Sequence, residues 1–309
     1  MLVVLEGVDK AGKSTLAEKL KEKLGFPVVH FGKPGPDPAI EYAEFLRTCG
    51  DAICDRFYVG ELVYGPLLRG KQSMTPLQIA TIERMCRKVG MILIHVDPPY
   101  NLIAARLKLM GDDLINAEQN AKAYDMFSSI IITRHTGKIV RWTQGTTAQK
   151  VVNEISIMVD RDILVYQRAK EFCTGIGTVL GEKIVFVGEK LSDKTTWIGM
   201  PFDSGPSSEY LLKAMQLFAG EESTFYVTNS NTVTKDEVDF LKSTGPTKFI
   251  ALGNIAYSRL RALGITAAKI PHPGYWRRFH HYNMTKYANQ MAKAIFQEAY
   301  IYGTNLSNI

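Results

Sequence analysis

No stretch of this 309-residue chain approaches the roughly 20 consecutive apolar residues that a membrane-spanning helix needs. Nor does its amino end carry a basic, apolar leader with a cleavage site, because a strand-like apolar run begins at Leu2. Both absences predict a cytoplasmic protein with no membrane partner. Cysteine is scarce: Cys49, Cys54, Cys86 and Cys173 lie far apart without metal-ligand spacing, so free thiols are expected and a cysteine-built zinc site is excluded. Charge of one sign is not concentrated either. The net +6 divides into +3 for residues 1–168 and +3 for residues 169–309, which excludes a basic tail. A pI near 9.0 permits contact with phosphate polymers without requiring it. The densest basic cluster, Trp276-Arg277-Arg278-Phe279-His280-His281, interleaves cations with aromatics, and suits either a nucleic-acid surface or a solvated loop.

What the chain does contain is a phosphate-binding signature at its start. Leu2 to Leu5 reads as a buried parallel strand; Gly7-Val8-Asp9-Lys10-Ala11-Gly12-Lys13-Ser14 follows, and the apolar residues from Thr15 to Leu24 recur at helical spacing. Strand, glycine-rich loop and helix in that order are the context a P-loop requires. Gly7 and Gly12 let the backbone turn its N–H groups around a polyphosphate. Lys13 brings a charge to the β/γ-phosphates, Ser14 a hydroxyl for Mg²⁺, and the helix starting near Thr15 its positive dipole end. The pattern predicts a nucleoside triphosphate, ATP, held by residues 7–15 together with Mg²⁺.

Strands then alternate with helices: a strand over 26–31, a Gly/Pro loop, a helix over 39–46, a strand over 52–54, and a helix over 75–89. A strand over 91–96, a helix over 101–110, a strand over 138–142 and a helix over 147–159 complete one parallel-sheet α/β domain spanning residues 1–168. The third strand runs into Asp55, which places that acid at the carboxyl edge of the sheet beside the P-loop. Asp55 is therefore a general base for a hydroxyl acceptor, with Asp9 as second candidate, or an outer-shell Mg²⁺ ligand, or a partner that only orients Arg56. Glu61 and Tyr64, one helical turn apart, either line the acceptor pocket or form a surface pair.

The residues EGVDKAGKST, DRFYVGELVYGP and VDPP, with an arginine-bearing helix after them, resemble the thymidylate kinase-like group of P-loop kinases, especially its bacteriophage-encoded forms. That resemblance implies that Asp9 and Arg56 face the phosphoryl acceptor, and that the segment from Arg106 to Glu118 closes over ATP. The family's lid usually carries a further arginine, whereas between Leu107 and Ala123 this chain has only Lys108 and Lys122.

After a stretch read as a linker, residues 169–182, the second half predicts a smaller α/β sandwich over 183–309 with no second P-loop. Strands at 183–187, 224–227 and 249–252 end in Gly188-Glu189, Thr228-Asn229 and Gly253-Asn254, and a short strand leads to His272-Pro273-Gly274. Helices are expected at 209–218, 235–243, 254–263 and 282–300. The order FVGE, a Gly/Pro/Ser loop, YVTNSN, ALGNIAYSRL and PHPG resembles the uracil-DNA glycosylase-like superfamily. By that resemblance Glu189 takes the water-activating position, Asn229 reads the base and His272 faces the leaving base; Arg277 and Arg278, in the cation-aromatic cluster, are the candidates for contact with DNA. Two departures stand against cleavage: Lys190-Leu191 replaces the Pro-Gly that often follows the acid, and the cysteines of the iron–sulfur branch are absent.

One function covers both halves: an ATP-dependent kinase acting on 5-hydroxymethyluracil within phage DNA, with duplex DNA as partner. A deoxynucleoside monophosphate kinase of thymidylate type, or a base-excision protein with an ATP-sensing domain, are the alternatives.

Overall fold

The computed structural model describes residues 1–111, 115–133, 138–143, 146–189, 200–219, 224–280 and 283–296. The chain forms two compact units, Met1–Arg168 and Ala169–Ile309.

The first unit is a five-stranded, wholly parallel sheet. Its strands are β1 (Leu2–Glu6), β2 (Val28–His30), β3 (Ala52–Asp55), β4 (Met91–Val96) and β5 (Lys138–Trp142), in the spatial order β2-β3-β1-β4-β5. β1 and β4 are buried throughout, which explains their unbroken apolar runs: a central parallel strand is covered on both faces. The helices are α1 (Lys13–Leu24), α2 (Pro38–Thr48), α3 (Tyr58–Arg69), α4 (Pro76–Val89), α5 (Tyr100–Met110), α6 (Ala117–Thr133) and α7 (Ala148–Phe172). Thr75 closes a reciprocal capping box with Gln78 at the start of α4, and Gly90 ends it in the left-handed conformation. α7 is one helix of 25 residues that runs on past the helix expected over 147–159, since the polar residues 160–162 keep the helical phase.

The second unit has strands β6 (Ile176–Gly177), β7 (Lys183–Gly188), β8 (Phe225–Asn229), β9 (Thr247–Leu252) and β10 (Ala268–Ile270), ordered β10-β9-β7-β8-β6. All are parallel except β6, which runs antiparallel to β8. Residues 169–182 are therefore not an independent connector. Gly175 and Gly177 let the chain press onto β8: a Cβ at either would meet a β8 carbonyl oxygen at 2.3 or 2.2 Å. Buried Glu237 fastens the same segment, accepting from Thr174 Oγ1 (2.7 Å), the Gly175 N–H (3.1 Å) and Tyr226 Oη (2.5 Å). The Thr-Gly-Ile-Gly spacing marks this close approach.

Around this sheet lie α8 (Pro206–Ala219), α9 (Lys235–Ser243), α10 (Asn254–Ala262), α11 (Pro273–Phe279) and α12 (Met284–Phe296), with α8 packed on α11 and α12. Residues 276–279 of the cationic-aromatic cluster fall on α11, where a loop is one expectation, and His281 lies outside the described residues: Pro273 occupies a first-turn position that needs no N–H, and Trp276 is buried and stacked on His280 at 4.0 Å.

Candidate functional sites in the two units

In the first unit the loop between β1 and α1 turns through Gly7 (φ 148°), Lys10 (φ 64°) and Gly12 (φ 108°). Only glycine fits at Gly7, where a Cβ would lie 2.4 Å from the Val96 carbonyl oxygen. Across the loop Lys13 Nζ donates 2.8 Å bonds to the Gly7 and Val8 carbonyl oxygens, bonds that an anion entering the loop could replace. α1 begins without a side-chain cap or an acid in its first turn, which leaves the amides of Lys13, Ser14 and Thr15 for an anion. Burial lowers the Lys13 ammonium to about 8, assisted by Arg56 and opposed by Asp9 and Asp55. A nearby polyanion would restore its charge.

Two cavities meet at this loop. One, of about 850 Å³, is lined by the P-loop residues Asp9 to Thr15 apart from Ala11, by His30, Asp55 and Arg56, and at its far end by Arg106 and Trp142. Arg106, on α5, donates to the Lys10 and Ala11 carbonyl oxygens at 2.9 and 3.1 Å. The other, of about 330 Å³, is lined by Phe31, Tyr42, Phe57, Glu61, Tyr64 and Arg69, among others. Asp9, Phe31, Gly32 and Arg56 border both. In the second cavity each arginine is already matched with a carboxylate: Arg56 with Asp9 and Arg69 with Glu61. Gly65 makes room for the latter pair, since a Cβ there would sit 2.9 Å from Glu61 Oε1 and 3.2 Å from an Arg69 nitrogen.

Asp55 lines the first cavity and not the second. Its Oδ2 accepts from Ser14 Oγ at 2.8 Å, and its Oδ1 is buried with no hydrogen-bond partner. A hydroxyl that donates to a carboxylate still presents lone pairs, so Ser14 and Asp55 fit Mg²⁺, which is commonly held by one or two protein groups plus phosphates. Among the described residues no group of three or more His, Cys, Asp or Glu side chains could hold a metal on its own.

Sequence reasoning missed Glu6. It is fully buried, its Oε1 accepting from the Phe57 and Gly60 N–H groups at 2.8 and 3.1 Å while Oε2 lacks a partner. Burial raises its carboxyl to about 8, against the lowering effects of those two amides, Lys13 and Arg56. The strand pattern hid it: an acid at the last position of an apolar run reads as the start of a loop.

In the second unit a cavity of about 630 Å³ opens at the carboxyl ends of β7, β9 and β10. In the order β8-β7-β9-β10 the chain reverses its direction of travel between β7 and β9, the switch point where open α/β sheets bind ligands. Glu189, Gly253, Asn254, Lys269, His272, Tyr275, Arg278 and Phe279 contribute to the lining. A Cβ at Gly253 would lie 2.3 Å from Glu189 Oε1, so glycine there admits the carboxylate. His272 accepts the Gly274 N–H at Nδ1, 3.1 Å, and caps α11; burial lowers its pKa, with Glu189 opposing and Arg278 assisting. Arg277 is half-buried and does not line the cavity.

Asn229 also lies outside that lining. Its side chain is buried against Gly188, where a Cβ would be 2.6 Å from Asn229 Oδ1 and 2.6 Å from the Phe202 ring, and its Nδ2 has no hydrogen-bond partner. Phe202, in the left-handed conformation at φ 55°, was not singled out from sequence. Lys190 and Leu191 lie outside the described residues.

No family model matches the chain. A curated relative, the SPbeta prophage-derived uncharacterized protein YorR of Bacillus subtilis (strain 168), is 26% identical over 168 residues, covering 52% of this chain and 99% of YorR. Similar solved structures include YorR from Bacillus subtilis in complex with phosphorylated GDP, with 20% identity, a TM-score of 0.47, and coverage of 53% of this chain and 98% of that one. A deoxyadenosine kinase from M. mycoides with dCMP shows 16% identity, a TM-score of 0.33 and coverage of 53% and 98%. A thymidylate kinase from Candida albicans shows 16% identity, a TM-score of 0.34 and coverage of 52% and 92%. Among the described residues no helix is long and apolar enough to cross a membrane.

Proposed function

We propose that this chain is an ATP-dependent phosphotransferase whose acceptor is a hydroxyl group, the 5-hydroxymethyl of 5-hydroxymethyluracil in DNA. The carrying observation is the charge balance of the smaller cavity. A mononucleotide acceptor brings a phosphate dianion and wants unmatched cations, yet both arginines there are already paired with Asp9 and Glu61, which leaves Lys33, among the described residues, as the one lining cation outside those pairs. A neutral hydroxymethyl group needs no such neutralisation. It does need somewhere for its proton to go, and Asp9, which borders both cavities, is the carboxylate at the junction. Asp55 takes the metal-side role instead, because it faces the nucleotide cavity and is bonded to Ser14.

In this reading the P-loop amides and Lys13 hold the β/γ-phosphates. Arg106 sits on the loop's outer edge, and Arg56 passes from Asp9 to the phosphoryl group as Asp9 receives the proton. Mg²⁺ supplies charge neutralisation between the phosphates. The aromatic residues Phe31, Tyr42 and Phe57 give the acceptor base flat apolar surface.

The second unit supports polymer over free nucleotide as substrate. The Phe202 ring and the unpartnered Asn229 amide at Gly188 suit stacking and edge recognition of an unpaired base, and Lys269 and Arg278 line the adjoining cavity with positive charge. Glu189 and His272 line that cavity as well, which keeps base excision as the second reading.

Incubation with γ-labelled ATP and, in parallel, hydroxymethyluracil-containing duplex DNA, free 5-hydroxymethyldeoxyuridine, dTMP and uracil-containing duplex DNA tests this. Label in the DNA is the expected result. Label confined to dTDP overturns the hydroxyl-acceptor reading, label confined to the free nucleoside overturns the polymer reading, and base released from uracil-containing DNA favours excision.

A further inference from the structure

The turn that carries Arg56 is held from outside its own segment. Arg56 is a non-glycine residue in the left-handed conformation, φ 70°, a backbone state that persists only where its surroundings fix it. Its N–H donates to the Leu5 carbonyl oxygen at 3.0 Å, one residue before β1 ends. The next residue, Phe57, is the N-cap of α3 and has no side-chain oxygen with which to cap it. A capping box satisfies two amides, those of the N-cap and of the third helical residue, which here are Phe57 and Gly60; Gly60 has no side chain to reach back. Glu6 serves both. Its Oε1 accepts from the Phe57 N–H at 2.8 Å and the Gly60 N–H at 3.1 Å, at a fully buried position. Gly60 leaves room for the carboxyl, since a Cβ there would lie 3.4 Å from Oε2.

We propose that Glu6 is a positioning residue for Arg56: by capping α3 from the end of β1, it fixes the turn that sets the guanidinium at the junction of the two cavities, beside Asp9. This rests on the phosphotransferase reading above, in which Arg56 passes from Asp9 to the phosphoryl group. Arg56 borders both cavities, and its Cζ lies 5.8 Å from the ring centroid of Tyr64, itself on α3, so helix and guanidinium are placed together. A leucine would fill the same space as Glu6, but only an acceptor answers two buried amides. One carboxyl oxygen accepts whether or not the other carries a proton, so the role does not depend on titration. A misplacement of about 1 Å in a group that meets the reacting atoms can cost about 10²-fold in rate.

The test is steady-state transfer by the full chain from ATP to whichever acceptor wild type uses among hydroxymethyluracil-containing DNA, the free nucleoside and dTMP, with ADP affinity measured alongside. Wild type is compared with Glu6→Leu, Glu6→Asp and Glu6→Gln, each also in an Arg56→Ala background. Glu6→Leu, which keeps the volume and loses the acceptor, should lower kcat about 10²-fold while ADP affinity stays within a few fold. Glu6→Asp, one methylene too short, should fall in the same direction, and carries the test if Glu6→Leu does not fold. Glu6→Gln keeps an oxygen in place and should stay within a few fold of wild type. In the Arg56→Ala background none of the three should lower kcat further, because a residue that acts through Arg56 has nothing left to place. An unchanged kcat in Glu6→Leu and Glu6→Asp overturns the proposal, and so does a loss that persists in full on top of Arg56→Ala. An equal fall in ADP affinity also overturns it, by moving the effect to the P-loop. A wild type that phosphorylates none of the three acceptors sinks the phosphotransferase reading itself, an outcome distinct from an active wild type with insensitive variants.

Discussion

The two units build their sites at the same place, the carboxyl edge of a parallel sheet, but from differently arranged sequence. In the first, eight consecutive residues from Gly7 to Ser14 form the loop that borders the larger cavity, and one side-chain hydrogen bond to Ser14 adds Asp55. In the second, the cavity draws Glu189, Gly253, Lys269, His272 and Arg278 from five separate points along the chain. A contiguous loop fixes its own geometry through backbone conformation. A dispersed site exists only when every strand end arrives in register, so its function is more exposed to substitutions far from it.

Breaking the first site gives the largest effect. Lys13→Ala should lower transfer by about 10³-fold or more with a near-normal fold, as judged by steady-state kinetics and circular dichroism, since one preorganised donor at developing charge is worth about 10²–10³ and Lys13 also carries charge. Asp9→Asn should cost roughly 10²–10⁴-fold in kcat on a hydroxyl acceptor while leaving the affinity for ADP within a few fold. An equal loss of ADP affinity would move Asp9 from the acceptor to the nucleotide.

The second site is broken more gently. Asn229→Ala should weaken binding of DNA containing an unpaired or modified base by about 10-fold, the cost of one hydrogen bond to a buried group. ATP binding should be unchanged in the same fluorescence titration. Gel-shift affinities that do not move would detach the second unit from base recognition.

The prediction furthest from either ligand concerns Glu6 and reads stability instead of activity. Its carboxyl titrates near 8 when folded and near 4.5 when unfolded, so between those values the folded state holds the extra proton. Stability is therefore present in full below about pH 4.5 and is lost as pH rises towards 8, at up to about 1.4 kcal/mol per pH unit. Glu6→Gln removes that slope. Melting curves from pH 5 to 8 should show the wild-type midpoint falling relative to the variant.

What was legible follows the same division. The P-loop, the acid at the end of β3 and the alternation of strands and helices were readable because each depends on local pattern. Glu61 and Tyr64 were paired by helical spacing, and both line the smaller cavity of the first unit. Gly175 and Gly177 misled, because a glycine that permits close approach to β8 looks the same as one in a connector. Glu6, Phe202, Trp142 and His30 were not readable, since each owes its position to a residue that becomes its neighbour only on folding: Phe57, Gly188, Gly12 and Asp55 respectively. Arg277 and Arg278 are adjacent in sequence, and only the helical turn of α11 sends Arg278 into the cavity and leaves Arg277 outside it.

The most direct measurement is nuclease digestion of hydroxymethyluracil-containing duplex DNA after incubation with the full chain and ATP, followed by mass spectrometry of the released nucleosides. The account predicts a thymidine-like nucleoside carrying one phosphoryl group on its hydroxymethyl oxygen, formed faster from polymer than from the free nucleoside. Unmodified nucleosides from the DNA, alongside rapid conversion of dTMP to dTDP by the same preparation, would contradict it.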